Sequence, residues 1–173
     1  MSPGPLHEED SRSFDRLIGI VCEEAEIDYK AYGSTTWHRD EVERGIEADE
    51  CYYFAADKLA AAGEASRRGS NDSTEYPIPD LAIEVDLRGS ALDREEIYAA
   101  LGLAEVWSYE NSALRIFQLG PDGIYREVEA SRFIPLKPAD IARWVEEFET
   151  QDNQRLSSRD FRDWLRAELA GRG

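Results

Sequence analysis

The chain has 173 residues, which suits one domain, and its 42% hydrophobic and 10% aromatic residues can fill a core, excluding a disordered or collagen-like chain. Twenty Lys and Arg against 37 Asp and Glu leave a net charge of −17. A chain this acidic repels phosphate backbones and anionic membranes, so broad affinity for either is excluded and any contact with DNA has to be local.

Residues 1–10 are Pro, Gly and acidic and read as a flexible tail, leaving 11–173 as a single domain. They have neither the cationic start nor the apolar stretch of a signal peptide, and no apolar run approaches the ~20 residues of a membrane span, so a cytoplasmic protein without membrane contact is expected. Phe14, Leu17, Ile18, Val21, Cys22 and Ala25 then follow the spacing of an amphipathic helix, with Ser11 or Ser13 as its N-cap. Residues 34–39 and 50–55 are rich in β-favouring side chains and predict two early strands. Between 63 and 76, turn formers outnumber apolar residues and predict a loop. Cys22 and Cys51, with only His7 and His38 beside them, make no zinc spacing and read as reduced, buried thiols.

A strand over 81–86 is followed by a helix over 92–101 that Gly102 terminates. Strands over 106–109, 114–119 and 124–128, joined through Gly120-Pro-Asp-Gly123, predict an antiparallel meander. Pro138 opens a helix carrying Ile141, Trp144, Val145 and Phe148 at helical spacing, and Ser157 with Asp160 opens a second carrying Phe161, Trp164, Leu165 and Leu169. The aromatic residues of this pair read as core or dimer-interface packing.

The segment Pro79-Asp-Leu-Ala-Ile-Glu-Val-Asp86 carries the most chemistry. Strand side chains alternate faces, so Leu81, Ile83 and Val85 share one face while Asp80, Glu84 and Asp86 share the other, spread over about 20 Å. Like charges in such a row need solvent, a cation or a divalent metal to offset them. One reading is a solvated edge strand whose charges block edge-to-edge pairing; the other is a metal site. Glu47 and Asp49 precede a neighbouring strand and add further carboxylates, and Arg88 and Arg94 follow on the next helix. Tyr98, one turn after Arg94, either supports such a site or packs the helix, and His38 and the Arg67-Arg68 pair have solvated or core readings beside any contact with phosphate.

Three pieces of sequence in this order, residues 44–54, 79–85 and 94–107, resemble the Uma-two type restriction endonuclease family of the PD-(D/E)XK nuclease superfamily. The resemblance spans roughly residues 14 to 150. It implies a restriction-endonuclease-like α/β fold, a central mixed β-sheet flanked by α-helices, and a Mg2+ or Mn2+ ion held by carboxylates beside the scissile phosphate of DNA. On that basis Asp80, Glu84 and Arg94 are the expected catalytic residues, and Asp80, Glu84, Asp49 and Glu47 the expected metal ligands. Ala48 stands where the family has proline, and Arg94 where it has lysine, while the superfamily's alternative lysine position holds Asp86. A guanidinium stays protonated and acts only electrostatically. The chemistry is therefore either Mg2+-dependent DNA hydrolysis by an expected homodimer, since cutting two strands suits a two-fold assembly, or a catalytically inactive nuclease fold serving as a protein-interaction module.

Overall fold

A computed structural model describes residues 5–39, 42–85 and 91–171. Helix α1 (Pro5–Glu24) starts upstream of the expected cap, so residues 5–10, read from composition as tail, are helical and Ser11 and Ser13 lie buried inside the helix. Strands β1 (Lys30–Tyr32), β2 (Thr35–Arg39), β3 (Val42–Ala48) and β4 (Glu50–Tyr53) follow, then α2 (Ala56–Arg67). The helix α2 takes over the first part of the expected loop, because its alanines favour a helix strongly enough to absorb the cost of Gly63, about 1 kcal/mol. After a short 3-10 turn at Ser73–Glu75 come β5 (Leu81–Val85), α3 (Ala91–Leu101), β6 (Glu105–Glu110), β7 (Ala113–Leu119), β8 (Tyr125–Val128), α4 (Pro138–Thr150) and α5 (Gln154–Ala170). The cap of α5 is Asn153, which accepts from the amides of Arg155 and Leu156, and Ser157 is buried one turn inside.

Six strands form one mixed sheet in the order β1-β4-β5-β6-β7-β8, while β2 and β3 pair separately. The pair β5–β6 is parallel and every other neighbour antiparallel. A parallel pair needs a crossover, and α3 supplies it, which carries the residues of α3 back past the face of β5. This is the helix-flanked mixed α/β architecture of a restriction-endonuclease-like fold. Among the described residues no helix is long and apolar enough to cross a membrane.

Central position changes the meaning of β5. Its five residues are all buried, so it is not a solvated edge strand. Leu81, Ile83 and Val85 enter the larger core with Phe14, Leu17, Ile18 and Val21 of α1, Trp107 and Ile116 of the sheet, and Trp144, Phe148, Phe161 and Leu165 of the last two helices. Each such side chain contributes roughly 1.5–3 kcal/mol by leaving water. On the opposite face Ala82 joins a smaller cluster with Cys51, Tyr53, Ala62, Tyr98, Leu101 and Val106, under α2 and α3. Trp144 contacts the rings of Phe148, Phe161 and Trp164, so the C-terminal aromatic series is packing. Neither cysteine forms a disulfide and both are buried, and burial pushes the Cys22 thiol up to about 12, which keeps it an inert apolar filler.

A second polar feature sits at the start of β6. Glu105 is fully buried and accepts from the Trp107 indole at 2.7 Å, the Gln118 amide at 2.9 Å, the Ser131 hydroxyl at 2.5 Å and the backbone amide of Arg132 at 2.9 Å. Four donors satisfy its two oxygens and tie β6, β7 and the segment before α4 together. These donors stand in for the water that the interior does not supply.

Candidate active site

The sheet register brings two carboxylates together. Because Glu50 opposes Ile83 in the antiparallel β4–β5 pair, Asp49, one residue before β4, falls beside Glu84. The Asp49 amide donates to the Ile83 carbonyl at 3.2 Å, and Asp49 Oδ2 accepts from the Val85 amide at 2.8 Å. Strand alternation turns Glu84 toward α3, where its side chain is only 2% exposed. There Tyr98 donates its hydroxyl to Oε1 and Arg94 donates Nη1 to Oε2. Arg94 and Tyr98 stand one helical turn apart, the spacing that puts both on one side of α3. Their surroundings differ: Tyr98 is 1% exposed, whereas 46% of the Arg94 side chain is in solvent.

Burial is the largest influence on Glu84 and disfavours its charged form; the charge of Asp49 works in the same direction, while Tyr98 and Arg94 oppose both. The balance pushes the Glu84 carboxyl up to about 7. Burial also holds the Tyr98 hydroxyl well above its ordinary range, with the Glu84 charge adding to it, so Tyr98 remains a donor. Glu84 is therefore a desolvated carboxylate with a second carboxylate alongside, an arrangement that a cation relieves.

Asp80 lies elsewhere on the same face. It stands four positions before Glu84, about 13 Å between their Cα atoms, and its partners are different. Asp80 Oδ2 accepts from the backbone amides of Phe54 and Ala55 at 2.7 and 2.8 Å, and Oδ1 faces Lys58 Nζ at 2.7 Å. Its main chain bridges the sheet, donating to the Tyr52 carbonyl and accepting from the Glu105 amide. The carboxylate thus sits at the entry to α2, where a negative charge meets the positive end of the helix. Glu47, on β3, is exposed and accepts from the Ser34 hydroxyl at 2.6 Å. Of the residues expected at the site, Asp49, Glu84 and Arg94 come together, Asp80 has a local role beside Lys58, and Glu47 is bonded outward. Asp86, Arg88 and the side chain of His38 lie outside the described residues.

Among the described residues no group of three or more His, Cys, Asp or Glu side chains is gathered to hold a metal. Two neighbouring carboxylates nevertheless suit Mg2+, which prefers oxygen ligands, keeps several waters and is commonly held by one or two carboxylates together with substrate phosphates. The pair Glu84 and Asp49 fits that pattern. Lys58 and Glu105 had no local sequence signal as partners, since their bonds span 22 residues to Asp80 and up to 27 to Arg132. Tyr98 had one, its spacing from Arg94.

The profile of the Uma2 family, described as "Putative restriction endonuclease", matches residues 1–164 of the chain. No curated protein matches it.

Proposed function

The chain belongs to the Uma2 restriction endonuclease family, and from that premise we propose that it is a divalent-metal-dependent endonuclease that hydrolyses DNA phosphodiester bonds at Glu84, Asp49 and Arg94. The observation that carries this reading is the placement of Glu84: 2% exposed, beside Asp49, and bonded to Arg94, whose own side chain is 46% exposed. Glu84 and Asp49 would hold Mg2+ or Mn2+, which when bound polarises a phosphoryl oxygen and acidifies a water. Arg94, protonated throughout, stabilises negative charge developing on the phosphate but takes no proton from water. Tyr98 holds Glu84 in place through Oε1. Asp80 fixes the entry to α2, and Glu47 accepts from Ser34. With a net charge of −17, contact with DNA is confined to this locality, and cutting both strands suits a two-fold pair of copies working in the cytoplasm.

A second reading has one observation in its favour. Both oxygens of Glu84 already have donors, Tyr98 and Arg94, so the same residues form a closed ion pair suited to a non-catalytic interaction module. Nicking of supercoiled plasmid DNA separates the two. The nuclease reading expects Mg2+- or Mn2+-dependent nicking that Glu84→Gln and Asp49→Asn reduce by at least about 100-fold and that Arg94→Lys retains. Equal nicking by Glu84→Gln and the wild type overturns the site, and absence of divalent-dependent nicking in the wild type favours the interaction module.

A further inference from the structure

Glu84 is the buried middle of a polar row that crosses the sheet. In the parallel β5–β6 pair Glu84 stands opposite Ser108, and in the antiparallel β6–β7 pair Ser108 stands opposite Arg115. Residues opposite one another share a face of the sheet, so Asp49, Glu84, Ser108 and Arg115 follow in that order along one line, with about 4.8 Å between neighbouring strands. Glu84 is 2% exposed, while Asp49 and Ser108 on its two sides are half-buried. On the same face of β6, Val106 packs in the cluster with Tyr98, and Glu110 is exposed, so Ser108 stands where this face leaves the interior. Among the described residues the Ser108 hydroxyl has no hydrogen-bond partner.

The two neighbours of Glu84 in the row differ in charge. On the β4 side Asp49 adds a second carboxylate, and a carboxylate pair attracts a cation and repels a phosphate. On the β6 side stands a neutral hydroxyl, which can donate to an anion. Arg115 continues the row, but Glu127 accepts from its Nε at 3.2 Å and its Nη2 at 2.7 Å and offsets its charge. Resting on the reading of Glu84 and Asp49 as the metal pair, we propose that Ser108 is a phosphate-binding residue of this site: its hydroxyl donates to a non-bridging oxygen of the scissile DNA phosphate, on the side of Glu84 away from Asp49. The row is thereby divided into a half that holds the cation and a half that receives the anion. Arg94 meets the same phosphate from α3, and Ser108 gives up no proton in the reaction.

The test compares Ser108→Thr with Ser108→Val, two branched side chains of nearly the same shape that both suit a strand and differ by a hydroxyl against a methyl. Plasmid nicking with Mn2+ reads kcat/KM, and urea unfolding reads the stability of the same proteins. Ser108→Thr is expected to stay within about threefold of the wild type and Ser108→Val to lose about tenfold or more in kcat/KM, as for one lost hydrogen bond to a charged group. Ser108→Val should be as stable as Ser108→Thr. Equal kcat/KM for the two variants overturns the proposal. So does a loss of activity in Ser108→Val that comes with a matching loss of stability, because the hydroxyl is then a structural tie. If neither branched variant folds, Ser108→Ala, smaller than the wild type, should show the tenfold loss, and full activity of that variant overturns the proposal. Failure of the underlying reading looks different: Glu84→Gln then nicks as the wild type does. Should the wild type not nick at all, anisotropy of a fluorescent DNA duplex with Mn2+ still reads the contact. Weaker binding by Ser108→Val than by Ser108→Thr supports it, and equal binding overturns it.

Discussion

Glu84 and Glu105 lie on the two strands of the parallel pair, β5 and β6, and both are almost completely buried, yet they are provided for in opposite ways. Glu105 accepts four hydrogen bonds from three segments, none of them from a charged side chain. Among the described residues Glu84 has two donors, one of them an exposed arginine, and a second carboxylate lies at its side. A fully bonded carboxylate is a structural tie whose charge is stabilised by fixed dipoles. A sparsely bonded one beside a like charge is held in a state that an incoming cation improves. Burial alone therefore does not mark a functional acid; the number and mobility of its donors do.

The largest effect expected from this contrast concerns the tie. Glu105→Ala leaves the Trp107, Gln118, Ser131 and Arg132 donors without their acceptor and should destabilise the protein by about 4 kcal/mol in urea unfolding. A loss below about 1 kcal/mol would show that Glu105 is not the tie described.

Glu84 should behave in the opposite sense. Its carboxyl is raised from 4.5 to about 7 in the folded chain, so between those values the folded state holds a proton that the unfolded state has lost. Stability from this group is then complete below about pH 4.5 and declines as pH rises to about 7, by about 3 kcal/mol in total. Glu84→Gln cannot lose that proton. Its unfolding free energy minus that of the wild type should grow over this pH window, with the variant the more stable at pH 8. A constant difference across the window would mean that the folded chain does not hold a proton on Glu84.

The parts of the molecule built on local pattern were legible in the sequence. The helical spacing of Ile141, Trp144, Val145 and Phe148 marks α4, Gly102 closes α3 with φ of +72°, and the Gly120–Gly123 turn marks the β7–β8 connection. Short or weakly patterned elements were not: β1 has three residues, and α2 carries few large apolar side chains to set a period. The site was half legible for the same reason. Alternation along β5 correctly puts Asp80 and Glu84 on one face, but sharing a face says nothing of the strand length between them. Which carboxylate meets Glu84 depends on the β4–β5 register, a long-range pairing that brings Asp49 across from a segment 35 residues earlier. Lys58 reaches Asp80 only once α2 has packed, so no spacing rule announces the pair.

The nuclease chemistry proposed for this site requires Glu84 to be the seat of a divalent ion. Thermal or urea unfolding at pH 8 with and without Mn2+ measures this without DNA. At about 100 times the dissociation constant, Mn2+ should stabilise the wild type by about 2.7 kcal/mol and leave Glu84→Gln unchanged. Equal stabilisation of the two proteins, or none of the wild type at millimolar Mn2+, would contradict the assignment.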